Sequence, residues 1–98
     1  MKNYYPEITA LARKLPTFAA GSPLASTPGI EPFDAMALFK WAQKGRCSSG
    51  EKLAALFVLT AFNPEVYGRR FNFGEAIRVW DRDHRAVLSA FILDPHWA

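Results

Sequence analysis

The chain has 98 residues, half of them hydrophobic and 21% charged, with a net charge of +3 from twelve basic and nine acidic side chains. That balance excludes a disordered chain and a wholesale acidic mimic of DNA, and it suffices for one modest core. A single cysteine, Cys47, excludes an internal disulfide, and no apolar run approaches the ~20 residues that span a bilayer, so one domain in a reducing cytoplasm, away from membranes, is expected.

In chain order, residues 5–15 read as a first helix. Pro6 suits the first turn, and Ile8, Leu11, Ala12 and Leu15 form one apolar stripe. Glu7 near the start and Arg13 and Lys14 near the end suit the helix dipole, and Pro16 stops it. Residues 16–32 hold Pro16, Pro23, Pro28, Pro32, Gly21 and Gly29, a density that no regular element survives. Phe18, Leu24 and Ile30 predict that this connection packs on the body. Residues 33–44 read as a second helix, with Glu31 and Asp34 bringing negative charge to its start and Gly45 suited to its end. Ala35, Met36, Leu38, Phe39 and Ala42 form its apolar face, and Lys40, Gln43 and Lys44 its wet side.

Residues 49–62 form the third and central helix. Ser48 and Glu51 have the spacing of a capping box, and from Leu53 to Phe62 the single polar residue is Thr60. A helix apolar on nearly every side is one surrounded by protein. Asn63 and Pro64 end it. Residues 65–72 read as a loop with one helical turn. A fourth helix covers 73–80 with Phe73, Ile77 and Trp80 on one side. Asp81 is the N-cap of a fifth helix over 82–93, with Val87, Leu88, Phe91 and Ile92 inward and Arg82, Asp83 and Arg85 outward, ended by Asp94 and Pro95. No stretch alternates with a period of two, so no sheet is expected; any strand would fall near 66–71. The expected fold is all-α, a compact bundle of about five helices around residues 48–62.

Little in this chain points to chemistry. His84 and His96 lack partners at metal-ligand spacing, so no metal or cofactor is expected, and His84 reads as a surface or half-buried residue. Cys47 lies beside basic residues and a helix start, but nucleophilic catalysis also wants an adjacent base. The stretch GRCSSG lacks the lysine of a phosphate-binding loop and follows a helix. No enzyme is expected. The basic residues are more informative. One group, Lys40, Lys44, Arg46 and Lys52, surrounds the tip of the hairpin between helices two and three. The other, Arg69, Arg70, Arg78, Arg82 and Arg85, lies near Tyr67 and Phe71. Arginine beside aromatics is the make-up of an interface, and Trp97 near the end adds a further anchor. The competing reading is that Arg78, Arg82 and Arg85 pair with Glu75, Asp81 and Asp83.

Two functions fit these residues. One is a non-enzymatic module that binds a partner protein through Lys40, Lys44, Arg46, Tyr67, Arg69, Arg70, Arg78, Arg82, Arg85 and Trp97. The other is a small DNA- or RNA-binding regulator with a helix–turn–helix built from helices four and five, where Asp81 and Asp83 would face phosphates. The outer faces of helices one and two could also pair two copies of the chain. In size and make-up the chain resembles the small accessory proteins of phages and plasmids, including anti-CRISPR and other anti-defence proteins. That resemblance is one of kind, without a shared motif, and implies an inhibitor that attaches to a host defence complex.

Overall fold

The computed structural model describes residues 5–44 and 47–93. The expectations placed on Gly45, Arg46, Asp94, Pro95, His96 and Trp97 lie outside the described residues. Among the described residues there are six α-helices and one 3-10 turn: α1 (Pro6–Lys14), the turn Pro16–Phe18, α2 (Ala35–Gln43), α3 (Ser49–Phe62), α4 (Pro64–Tyr67), α5 (Phe73–Val79) and α6 (Arg82–Leu93). There is no strand among the described residues, and none of their helices is long and apolar enough to cross a membrane.

α3 is the centre of the all-α fold. The Ser48 hydroxyl accepts from the Glu51 N–H at 3.2 Å, and the Glu51 carboxylate accepts from the Ser48 N–H at 2.9 Å, which closes the capping box. Leu53, Ala54, Ala55, Leu56, Phe57, Val58, Leu59 and Ala61 are all buried, and α1, α2, α4 and α5 pack around them. The Phe57 ring meets Phe71, Trp80 and Phe91 with centroids 5.8, 6.0 and 5.4 Å away. Aromatic pairs at these separations add to what area burial alone contributes. Trp80 donates its indole N–H to the Gly50 carbonyl at 3.0 Å, pinning the junction of α5 and α6 to the start of α3.

The long connection after α1 is tied down by Arg13. One of its terminal nitrogens donates to the carbonyls of Phe18 (2.9 Å) and Ala25 (2.7 Å), and the other pairs with Glu31 at 2.9 Å. Thr9 donates its hydroxyl to the Ile30 carbonyl at 2.6 Å. Phe18 and Ile30 are fully buried. Gly29 has φ +90°, and a Cβ there would lie 2.5 Å from the Asp34 carbonyl oxygen and 2.6 Å from the Leu38 nitrogen. Only glycine fits both the backbone conformation and the space.

Several expectations are corrected. The helix expected over 33–44 starts at Ala35, because Asp34 caps it by accepting from the Ala37 N–H while Phe33 enters the core ahead of the cap. Met36 is 71% exposed. The buried line of α2 runs through Leu38 and Ala42, and two residues at 100° each put Met36 on the far side from Leu38. Glu31 serves Arg13 instead of the start of α2. The single turn α4 raises the helix count to six and, with the bend after it, occupies the stretch where a strand was most conceivable. In α5 the inward line is Ala76 and Trp80, which leaves Phe73 and Ile77 exposed, and Ile92 near the end of α6 is exposed as well.

Candidate functional site

One member of each basic group, Lys52 and Arg70, lines a cavity of about 220 Å³ between α2, α3 and the segment that follows α4. Phe39, Ala42 and Gln43 line it from one stripe of α2, at i, i+3 and i+4. Lys52 and Leu56 line it from α3, at i and i+4, and Arg70 closes it. The floor is apolar and the rim carries two cations with one amide. No carboxylate lines it, and neither Lys52 nor Arg70 has an ion pair among the described residues.

Arg70 is positioned from below. Its guanidinium carbon lies 5.0 Å from the centroid of the Phe39 ring, and the Tyr67 ring meets Phe39 edge-on at 5.4 Å. Backbone turns bring it there: the Asn63 side chain caps α4, Gly68 donates its N–H to Pro64, and Arg70 donates its N–H to the Tyr67 carbonyl at 2.9 Å. That same carbonyl accepts from the Thr60 hydroxyl at 3.2 Å, which fastens the turn to the polar interruption of α3. A guanidinium stacked on a ring keeps its in-plane N–H donors directed outward.

The other expected site residues divide. Lys40 and Lys44 stand exposed on and just after α2, one residue beyond Phe39 and Gln43 of the cavity. Arg69 is exposed beside Arg70. Arg78 pairs with Glu75 one turn away at 2.6 Å, and the Arg85 Nε donates to the Asp81 carbonyl at 3.3 Å, so both are engaged on their own helices. Arg82 is exposed at the start of α6. Arg46 and Trp97 lie outside the described residues.

One polar chain has no counterpart among the expected site residues. Asp81 accepts from the His84 backbone N–H and from the ring Nδ1, both at 2.9 Å. On the other side, His84 Nε2 lies 2.6 Å from the Thr17 hydroxyl and 3.3 Å from the Thr17 backbone nitrogen. A backbone N–H can only donate, which makes Nε2 the acceptor and places the ring proton on Nδ1. His84 is buried and stacked on Trp80 at 5.4 Å, contrary to the surface or half-buried position expected of it. The Asp81 carboxyl is held below its ordinary value of 3.8, first by the backbone N–H of His84 and then by its ring N–H. A carboxylate, an imidazole and a hydroxyl in series resemble a nucleophile relay in outline. Here, however, the Nε2 lone pair already receives the Thr17 backbone N–H, and the ring is buried, so the chain clamps the 3-10 turn to α6. The sequence signal is the Asp-x-x-His spacing at a helix start; the third member, Thr17, lies 67 residues away.

Cys47 is half-buried and directs its thiol to the Ala42 carbonyl at 3.8 Å. Among the described residues no group of three His, Cys, Asp or Glu side chains is placed to hold a metal ion. No protein-family model matches the chain, and no curated protein or solved structure is significantly similar to it.

Proposed function

We propose that this protein is a non-enzymatic module that binds a partner protein through the face formed by Phe39, Gln43, Lys52, Tyr67 and Arg70. The supporting observation is Arg70 itself, laid on an aromatic ring with no acceptor for its guanidinium among the described residues. Arginine and aromatic side chains are those in which interface binding energy concentrates. Attachment to a larger host complex is the mode of the small anti-defence proteins that the chain resembles in kind, and the cytoplasm is its setting.

The nucleic-acid alternative on α5 and α6 has less support. The start of α6 presents Asp81 and Asp83 with Arg82 and Arg85, so two negative charges offset two positive ones. Asp81 also keeps a lowered pKa and stays ionised. A surface without net positive charge gains little from phosphates.

The test is a pull-down from the native host, treated with nuclease, with the wild type and an Arg69→Ala/Arg70→Ala double variant as baits. A protein retained by the wild type and lost by the double variant is the expected outcome. Tight, steeply salt-dependent gel shifts of random DNA with no retained protein would transfer the function to the second class.

A further inference from the structure

Resting on that reading, we propose that the cavity between α2 and α3 receives an acidic peptide segment of the partner. An apolar side chain enters over Ala42 and Leu56, beside the Phe39 ring, and an adjacent carboxylate is bound between Lys52 and Arg70. Three observations carry this. First, the volume of about 220 Å³ is below the roughly 300–1,000 Å³ of small-molecule sites, so it suits one side chain. Second, the two cations share an opening with no carboxylate in its lining. A cavity of about 370 Å³ beside Pro6, Ala10 and Pro32 shows the contrast: its Arg13 is already neutralised by Glu31. Lys52 and Arg70 are both exposed at the rim, and two neighbouring cations without a carboxylate between them make a local positive potential that favours an anion. Third, a single-stranded nucleic acid would need an aromatic face on which to stack a base. Phe39 is the single ring in the lining, with Arg70 over it and Tyr67 packed against it at 61°, and the Ala42, Leu56 and Gln43 side chains beside it suit a peptide better than a base. Gln43 at the rim supplies both a donor and an acceptor for the backbone of such a segment.

The experiment is a ¹⁵N chemical-shift titration of the full chain with four probes. They are the blocked pentapeptide acetyl-Glu-Asp-Leu-Asp-Glu-amide, its counterpart with alanine for leucine, its counterpart with lysine for every acid, and a ten-nucleotide oligothymidine. Expected are saturable shifts at Phe39, Gln43, Lys52 and Arg70 with the acidic leucine peptide, several-fold weaker binding of the alanine peptide, and none of the lysine peptide. Arg70→Ala should weaken the acidic peptide about fivefold, and Lys52→Glu tenfold or more, because reversing a charge adds repulsion to lost attraction. Lys52→Gln keeps a good helix former at that position and should weaken it about threefold. The proposal is overturned if the acidic peptide gives no saturable shifts at these residues, if the alanine peptide binds equally well, or if oligothymidine alone shifts them. Should the pull-down retain an Arg70-dependent protein while the acidic peptide is silent, the partner-binding role stands and the acidic-segment proposal falls. Loss of both results would remove both.

Discussion

Two arginines of the same small fold, Arg13 in the last turn of α1 and Arg70 just after α4, do opposite work. Arg13 directs one nitrogen to two backbone carbonyls and another to Glu31, so it organises the irregular connection from the inside. Arg70 lies on the Phe39 ring with its charge unneutralised among the described residues. The difference teaches how to separate scaffold from site in a chain rich in arginine. A guanidinium whose donors are satisfied by its own backbone stabilises the fold, because charge-assisted bonds to part-buried carbonyls are worth about 1.5–3 kcal/mol each and their loss leaves acceptors unsatisfied. A guanidinium held only by its plane contributes little to stability and keeps its donors for something else.

Breaking the scaffold side should have the largest effect. Phe18→Ala empties a fully buried site beneath the Arg13-tied loop, and urea denaturation should show a loss of about 3–5 kcal/mol. Arg13→Ala should cost about 2–4 kcal/mol by the same measurement, because two backbone carbonyls lose their charged donor together. A loss below about 0.5 kcal/mol would show that the loop holds without Arg13.

The clamp at Asp81 should contribute less, with a definite pH signature. Its folded pKa is depressed, so its contribution is present above about pH 3.8 and is lost as pH falls through the folded value. Asp81→Asn retains an oxygen acceptor for the His84 N–H but removes the charge. The difference in Tm between wild type and Asp81→Asn should therefore be largest near neutrality and shrink below about pH 3.8. A difference that stays constant down to pH 2 would mean that the carboxylate charge is idle.

Legibility from the sequence follows the range of the interactions. The capping box of α3 and the stops at Pro16 and Pro64 involve residues within four positions, and the apolar run 53–62 announces its own burial. All of this could be read directly, and with it the all-α bundle around a central helix. The inward lines of short helices could not. α5 has seven residues, too few turns for periodicity to choose between Phe73 with Ile77 and the observed Ala76 with Trp80. Arg13 read as an ordinary helix-end charge, because its acceptors are backbone carbonyls in a stretch without periodicity. Basic groups on both flanks of α3 were visible, yet their meeting at Lys52 and Arg70 depends on the bend through Asn63, Pro64 and Gly68, a tertiary fact.

The smallest expected effect on stability belongs to Arg70, and the central claim rests on it. Thermal unfolding and capture of host protein should be measured on the same preparation of Arg70→Ala. Losing an exposed cation–aromatic contact costs about 0.5–1 kcal/mol, so Tm should fall by no more than about 4–8 °C, while capture of the host protein drops at least fivefold against wild type. A larger fall in Tm with capture unchanged would contradict the account, for it would make Arg70 a second Arg13.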